Sequence, residues 1–498
     1  VTGAYDRIVA CVRFILHRFF RSVEVTGLEH LPAEGGGILV SWHPNGLMDP
    51  ALILTHCPRQ VIFGARHGLF KWPVLGQVMR AVGTVPIVRA QDSKDLDPVA
   101  RREANARALD ALALQVAEGS FSCLFPEGDS HDSPHLLQLK TGAARFYYRA
   151  RQLQDAGDDP VIIPVGLHYD AKHAFRSNAL VAFHPPIRLS ALLAQTPAEG
   201  EAQDRFRDRV RSLTAEIDRV LREVVHATES WEVHHLMHRV RKLVRAERAQ
   251  RAGASLHRPR IGERTLGFAR VWAGYHERLR THPEQVAELR RRVTEYDADL
   301  RALRIEDHEL DASPRLASPW LLFLLLLQLL LVFLVLPPIL LFGMLVNAPP
   351  MLGLWGLSKL AARRRKDEAT IKVLFGLIAF PLTWSVAGIV AAQTHAWLNT
   401  VYPVLPDHGW SVATVTVLLA ILGGMLSLRY LRVVRETARS VRIRLTRARA
   451  RVHLARLKVE RSDLYDAVMD LVGDLDLPGA VSAEGKVVAE DHPDAVLP

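Results

Sequence analysis

The densest run of reactive side chains is Ser41-Trp42-His43-Pro44-Asn45-Gly46-Leu47-Met48-Asp49-Pro50. His43 and Asp49 stand six positions apart. On one α-helix that is about 600° of rotation, which places them on different faces, so they cannot pair within a helix. A strand ending at His43, a turn at Pro44-Asn45-Gly46 and a helix beginning near Asp49-Pro50 would fold the chain back and bring carboxylate to imidazole. So arranged, the pair is a general base: the imidazole takes a proton while the carboxylate fixes its tautomer and stabilises the imidazolium. Taken alone, Asp49 also reads as an ordinary helix N-cap before a proline.

Three further blocks follow in order: Gly83-Thr84-Val85-Pro86-Ile87-Val88-Arg89, Phe125-Pro126-Glu127-Gly128 and Val161-Ile162-Ile163-Pro164-Val165-Gly166. With these four blocks the sequence resembles the glycerolipid acyltransferase family, over about Val23 to Leu189 and roughly a third of the chain. Two departures narrow the resemblance. Five residues separate His43 from Asp49 where the family commonly has four, and the third block continues Asp129-Ser130-His131-Asp132 in place of Thr-Arg-Ser, so its phosphate-gripping arginine is missing. The stretch from Phe125 to Gly142 is more similar to the branch that acylates glycerol 3-phosphate or dihydroxyacetone phosphate.

The resemblance implies transfer of a fatty acyl group from acyl-CoA or acyl-ACP to the sn-1 hydroxyl of glycerol 3-phosphate, in phospholipid biosynthesis. Lysophosphatidate and dihydroxyacetone phosphate are the alternative acceptors. His43 and Asp49 would be catalytic, with no protein nucleophile, cofactor or metal. Arg89 would grip phosphate, as its planar fork suits. Phe125, Pro126, Glu127 and Gly128 would form the substrate-side loop, Glu127 holding an acceptor hydroxyl or the loop itself. Ser130, His131 and Lys140 could stand in for the missing arginine, and Arg66 is a further basic candidate. Backbone N–H groups near Asn45, or at the turn after Glu127, are alternative donors for the tetrahedral oxyanion.

Positioning these groups requires a scaffold. Short β-rich runs at Gly37 to Trp42, Val61 to Ala65, Val85 to Val88, Ser122 to Phe125, Val161 to Leu167 and Leu180 to Phe183 alternate with helical stretches such as Pro98 to Glu118 and Leu139 to Gln154. That alternation predicts an α/β domain with a central mixed sheet covered by helices, over residues 23–198. Before it, residues 1–22 read as an amphipathic helix and not a secretory signal, because Arg7, Arg13, Arg18 and Arg21 interrupt the apolar residues. Either it packs on the next domain or it lies at a membrane surface. After it, residues 199–312 read as charged and helical, with breaks near Gly253 and Pro283; His234, His235 and His238 lack an acidic third ligand at a familiar metal spacing.

The chain is too long at 498 residues for one ordinary domain and too apolar at 49% hydrophobic for disorder. Its formal charge of +10 comes from one segment: Arg429 to Arg461 holds eleven arginines and Lys458 against Glu436 and Glu460. A general nucleic-acid binder is therefore excluded, and the segment lacks the interleaved aromatics of a stacking surface. Cys11, Cys57 and Cys123 are odd in number and scattered, which excludes a disulfide scaffold or zinc ribbon and fits a reducing compartment.

Residues 313–428 predict a membrane region. Leu316 to Ser358 has no Asp, Glu, Lys or Arg over 43 residues, well beyond the ~20 that cross hydrocarbon. Val373 to Gln393 and Trp410 to Leu428 are further uncharged stretches of spanning length. Arg363 to Lys366 before the second and Arg429 onward after the third make these two a hairpin with cytoplasmic ends. A cytoplasmic catalytic domain then requires Leu316 to Ser358 to enter and leave on one side, with breaks at Pro337-Pro338 and Pro349-Pro350, giving an even number of crossings. A non-catalytic membrane scaffold or transporter is the alternative of another class, and the few ionisable groups inside the spans count against a transport pathway. An integral membrane protein results, of the inner membrane if the source is bacterial, with membrane lipid as a partner and acyl carrier protein as an alternative donor.

Residues 429–477 read as one basic amphipathic helix with a seam at Leu431, Val434, Ala438, Val441, Leu445, Ala448, Val452, Ala455 and Val459, suited to anionic lipid or to packing on the soluble part more than to a coiled coil. Residues 478–498 read as a polar tail.

Overall fold

The computed structural model describes residues 2–88, 97–154, 159–196, 202–254, 256, 259–311, 319–361, 367–404, 406–482, 484, 486–490, 492 and 495–496. It divides into two units, residues 1–234 with 259–265 and 364–370, and residues 235–258 with 266–363 and 371–498.

The first unit begins with α1 (Thr2–Phe19) and β1 (Ser22–Thr26), then β2 (Gly37–Ser41), α2 (Met48–His56), β3 (Val61–Arg66), α3 (Pro73–Ala81), β4 (Val85–Ile87), α4 (Pro98–Ala117) and β5 (Phe121–Leu124). There follow α5 (Gly142–Gln152), β6 (Val161–Tyr169), β7 (Asn178–Phe183), the short α6 (Ala191–Ala194), α7 (Gln203–Val224) and the start of α8 (Trp231–Arg251). The seven strands form one mixed sheet in the order β1-β7-β6-β2-β5-β3-β4, parallel except where β6 meets β7. Parallel neighbours need helical crossovers, which α2, α4 and α5 supply; helices on the sheet explain why β2 is buried at every position.

The expected mixed α/β fold is present, and its boundaries differ from those expected in two places. The helix α7 belongs to this unit: Val210, Leu213, Ile217, Leu221 and Val224 recur at helical spacing and are buried with Ile38, Val40 and Ile162 of the sheet. At the other end α1 buries Val9, Leu16 and Phe19, and its Arg13 donates to the Thr55 carbonyl at 2.8 Å, while Phe14 stays exposed. The helix therefore packs on the domain along one side.

On β6 and β7, His168 and His184 both bring Nε2 towards Gly166. Burial is the main cause that lowers His168 from 6.5 to about 3 and His184 from 6.5 to about 4, reinforced in His168 by His184 and His234. Both are neutral when folded. The unfolded chain takes up these protons once pH falls below 6.5 and the folded chain does not, so stability falls as pH drops from there towards 4. The expected loss is on the order of 1 kcal/mol per pH unit per histidine. Melting temperatures across that range check it, and His184→Leu should remove about half of the slope.

The second unit is helical. The rest of α8 and of α9 (Ile261–Thr281) join α10 (Pro283–Leu303) and α11 (Asp307–Leu310). Next come α12 (Pro319–Leu330), a π-helical stretch at Leu331–Val335, α13 (Leu336–Ala361), α14 (Glu368–Val401), α15 (Gly409–Arg449) and α16 (Arg451–Val472). The basic segment is two helices, not one, broken at Ala450. In α16 the buried residues are Leu454, Leu457, Leu464 and Val468, packed with Leu243, Tyr296 and Leu300, whereas Val452 is 81% and Val459 62% exposed. The seam read from the sequence is thus not the face that packs. Arg461 decides the register: it is buried, with Glu247 at 2.8 Å and Asp311 at 2.5 Å, and a buried guanidinium must be paired. Residues 480–496 are also not a plain tail, because β8 (Ala480–Ser482), β9 (Val487–Val488) and β10 (Ala495–Val496) form a small antiparallel sheet.

Three helices are long and apolar enough to cross a membrane: Leu340–Leu360, Glu368–Val401 and Gly409–Thr446. Pro337 and Pro338 do not stop the chain from being helical; they come just after the π-helical stretch at Leu331–Val335. Gln328 donates to Thr437 at 2.7 Å and Asn347 to the Ala420 carbonyl at 2.8 Å, so the chain runs antiparallel to α15 as far as Asn347. Gly343 and Gly423 meet there, leaving no room for a side chain. Beyond Asn347, which accepts from Trp384 at 3.0 Å, Leu354 lies against Gly376. Gly388 lies against Ala413 of α15, and Pro349 and Pro350 fall inside α13. Arg363 to Lys366 lie outside the described residues.

Candidate active site

The strand β2 ends in a tied-down corner. Ser41 Oγ donates to the Val165 carbonyl at 2.8 Å and Trp42 Nε1 to the Leu167 carbonyl at 2.9 Å, fixing the strand end to β6. The chain then leaves the sheet at His43, turns through Asn45 and Gly46 with Met48 N–H donating to the Asn45 carbonyl at 3.0 Å, and enters α2. Leu47, not Asp49, is the N-cap. From the first turn Asp49 reaches back: its Oδ2 accepts from Asn45 N–H at 2.7 Å and from His43 Nδ1 at 2.8 Å. The expected fold-back pair is therefore formed.

Asp49 is fully buried in the first turn of α2, with its Oδ2 facing the Asn45 N–H and His43 Nδ1. An ionised carboxylate only accepts, so the proton between the two groups sits on His43 Nδ1 and Nε2 carries the lone pair. The His43 side chain is 16% exposed, and the Phe125 ring stacks on it at 4.2 Å and 16°. One face of the imidazole is thus covered and its tautomer set.

Glu127 holds the loop that carries this pair. Its Oε2 accepts from His43 N–H at 3.0 Å, and its Oε1 accepts from Leu137 N–H at 2.9 Å and pairs with His131 Nε2 at 2.6 Å. His131 N–H in turn donates to the His43 carbonyl at 3.0 Å, and His131 Nδ1 accepts from Ser133 N–H at 3.2 Å. Both backbone groups of His43 are therefore clamped, and of the two roles considered for Glu127 the geometry matches the loop. His131, buried and bonded at both ring nitrogens, is committed to that clamp and leaves no N–H for a phosphate.

The remaining expected residues separate. Pro126 accepts from Lys140 N–H at 2.8 Å, and the Lys140 side chain lies across Gly128, whose φ of +72° and missing Cβ make that approach feasible. The Lys140 ammonium is exposed beside the turn. Ser130 is buried next to Asp129, whose Oδ1 accepts the Ser130 N–H at 2.9 Å. Arg66 is exposed at the end of β3, where it pairs in register with Ile87 of β4. Its strand end lies on the edge of the sheet from which His43 and Phe125 also emerge. Arg89 lies outside the described residues. The Asn45 side chain donates to the Lys172 carbonyl at 3.0 Å, tying the turn to the loop after β6.

Sequence reasoning missed Tyr169, whose hydroxyl donates to Asp49 Oδ1 at 2.5 Å. The available signal was strand alternation: Val165, Leu167 and Tyr169 share one face of β6, and β6 continues two residues beyond the Leu167 end that was expected.

An imidazole held by a buried carboxylate, on a clamped loop at the end of parallel strands, is an arrangement able to take a proton from an alcohol. Residues 22–168 match the Acyltransferase family model, and residues 268–478 match the glycerol-3-phosphate acyltransferase 2 C-terminal domain. The chain thus carries an acyltransferase domain followed by a C-terminal domain of the glycerol-3-phosphate acyltransferase 2 type. Among its relatives, glycerol-3-phosphate O-acyltransferase 1 of Saccharomyces cerevisiae is 32% identical over 187 residues, covering 37% of this chain and 23% of that protein. Glycerol-3-phosphate O-acyltransferase 2 of the same yeast is 26% identical over 186 residues, with the same two shares. The lyso-ornithine lipid O-acyltransferase of Rhodobacter capsulatus is 29% identical over 180 residues, covering 32% of this chain and 60% of that protein. The match thus spans about a quarter of the length of the two yeast proteins.

Proposed function

We propose that this protein is a membrane-bound acyltransferase that moves a fatty acyl group from acyl-CoA or acyl-ACP to the sn-1 hydroxyl of glycerol 3-phosphate. The observation that carries the chemistry is the 2.8 Å His43–Asp49 contact with Nε2 left as the free lone pair. His43 Nε2 takes the proton of the acceptor hydroxyl as its oxygen attacks the thioester carbonyl. Asp49 stabilises the imidazolium so formed. Collapse of the tetrahedral intermediate breaks the carbon–sulfur bond, and the imidazolium returns the proton to the departing thiolate. No acyl-enzyme is formed.

The choice of acceptor is supported by the C-terminal domain match and by what the yeast relatives are called. Lys140 and Arg66, exposed at the site end of the sheet, are the cations proposed to meet its phosphate, together with Arg89. A long acyl chain gains roughly 0.8 kcal/mol per CH2 buried in lipid, so the donor chain and the product stay at the membrane. Asn347 against both Ala420 and Trp384, with Leu354 against Gly376, supports a bend near Pro349-Pro350 and so an entry and exit of residues 319–361 on one side. With Arg429 to Arg449 following the last span, it also supports a cytoplasmic catalytic domain.

Purified protein in lipid vesicles, given oleoyl-CoA and each acceptor in turn, tests the reading. The expected product is 1-acyl-glycerol 3-phosphate, with at least about tenfold higher kcat/KM than for dihydroxyacetone phosphate or lysophosphatidate. Exclusive use of lysophosphatidate would overturn the acceptor assignment.

A further inference from the structure

We infer that Tyr169 is a positioning residue of the catalytic pair, acting through Asp49 on the basicity of His43; this rests on the acyl-transfer reading above. Asp49 Oδ2 is shared by His43 Nδ1 at 2.8 Å and Asn45 N–H at 2.7 Å, and Oδ1 takes the Tyr169 hydroxyl at 2.5 Å. The carboxylate is fully buried, so without Tyr169 its Oδ1 would be a desolvated anionic oxygen lacking that donor.

The phenol does two things. It blocks rotation of the carboxylate, so that Oδ2 faces the imidazole throughout the reaction. It also draws charge towards Oδ1, which weakens the pull of Asp49 on the imidazolium and keeps His43 unprotonated, and so competent as a base, at lower pH. Tyr169 itself stays protonated, since burial and the adjacent Asp49 charge raise it well above its usual range.

The other ionisable groups around the pair are engaged. Glu127 accepts the His43 N–H, His131 is bonded to Glu127, Lys172 is paired with Asp132 at 2.5 Å, and the Cys123 thiol is kept neutral by burial. The phenol is thus the group whose removal changes Asp49 without breaking the loop. Its ring packs near Phe20 at 6.0 Å, and phenylalanine keeps that packing.

The test is the pH profile of acyl transfer to glycerol 3-phosphate by full-length protein in vesicles. Tyr169→Phe should lower kcat about tenfold, leave KM for the acceptor within about twofold, and move the acid limb of kcat/KM up by about half a pH unit. Replacing Tyr169 with 3,5-difluorotyrosine, nearly isosteric and a stronger donor, should move the limb the other way, and it serves if the phenylalanine variant does not fold. An unmoved limb in either folded variant, or a loss of kcat that only follows a lower melting temperature, overturns the inference. His43→Ala in the same assay keeps the two levels apart: if it retains full turnover, the general-base reading itself is wrong.

Discussion

His43→Ala abolishes acyl transfer, lowering turnover by at least about 10³-fold at saturating substrates, and leaves the protein folded. The size follows from the geometry. His43 Nε2 is the proposed acceptor of the hydroxyl proton, and the surrounding ionisable groups are committed elsewhere: Glu127 and His131 to the loop, Asp49 to the imidazole itself. No neighbouring base can take over. The fold should survive, because the backbone contacts of His43 to Glu127 and His131 do not depend on the side chain, although buried Asp49 loses one donor at a cost of about 1–3 kcal/mol. Turnover measured beside a melting curve checks this, and more than about a tenth of wild-type activity would remove the imidazole from the mechanism.

The second large effect is expected at Glu127, which touches no reacting atom. Glu127→Gln should cost on the order of 10²-fold in turnover, although the side chain keeps its size and the fold. Each carboxylate oxygen faces donors: His43 N–H on one side, Leu137 N–H and the His131 ring on the other. A glutamine must turn its NH2 towards one of those donors. His131 cannot easily adjust by changing tautomer, because its Nδ1 already accepts from Ser133. The loop then shifts and carries His43 with it, and a displacement of about 1 Å is enough for such a loss. The check is turnover together with thermal stability. A Glu127→Gln variant as active as wild type would show that the clamp is not needed.

How far the sequence could be read depended on how local the cause was. The His43 turn and the six strand runs were legible because turn residues, β-branched runs and the spacing to Asp49 act within a few positions. The strand β1 was not, since Ser22–Thr26 is short and contains Glu24, whose carboxylate accepts from Ile261 N–H at 3.1 Å, 237 residues away. The contacts of Tyr169 and His131 were not legible for the same reason: their partners are fixed by strand register and loop closure, which no spacing along the chain announces. In α16 the sequence offers two apolar stripes, and the buried ion pairs of Arg461 select between them. Pro337-Pro338 and Pro349-Pro350 of the membrane segment marked where the chain could bend, and all four fall within residues that are helical in the structure.

The central claim is that His43 delivers the acceptor hydroxyl directly to the thioester. Thiol release from oleoyl-CoA, followed with and without glycerol 3-phosphate in the wild type and in His43→Ala, tests it most directly. The expected result is release that requires the acceptor, shows no burst in its absence and disappears in the variant. A stoichiometric burst without acceptor, leaving the chain covalently acylated, would contradict it.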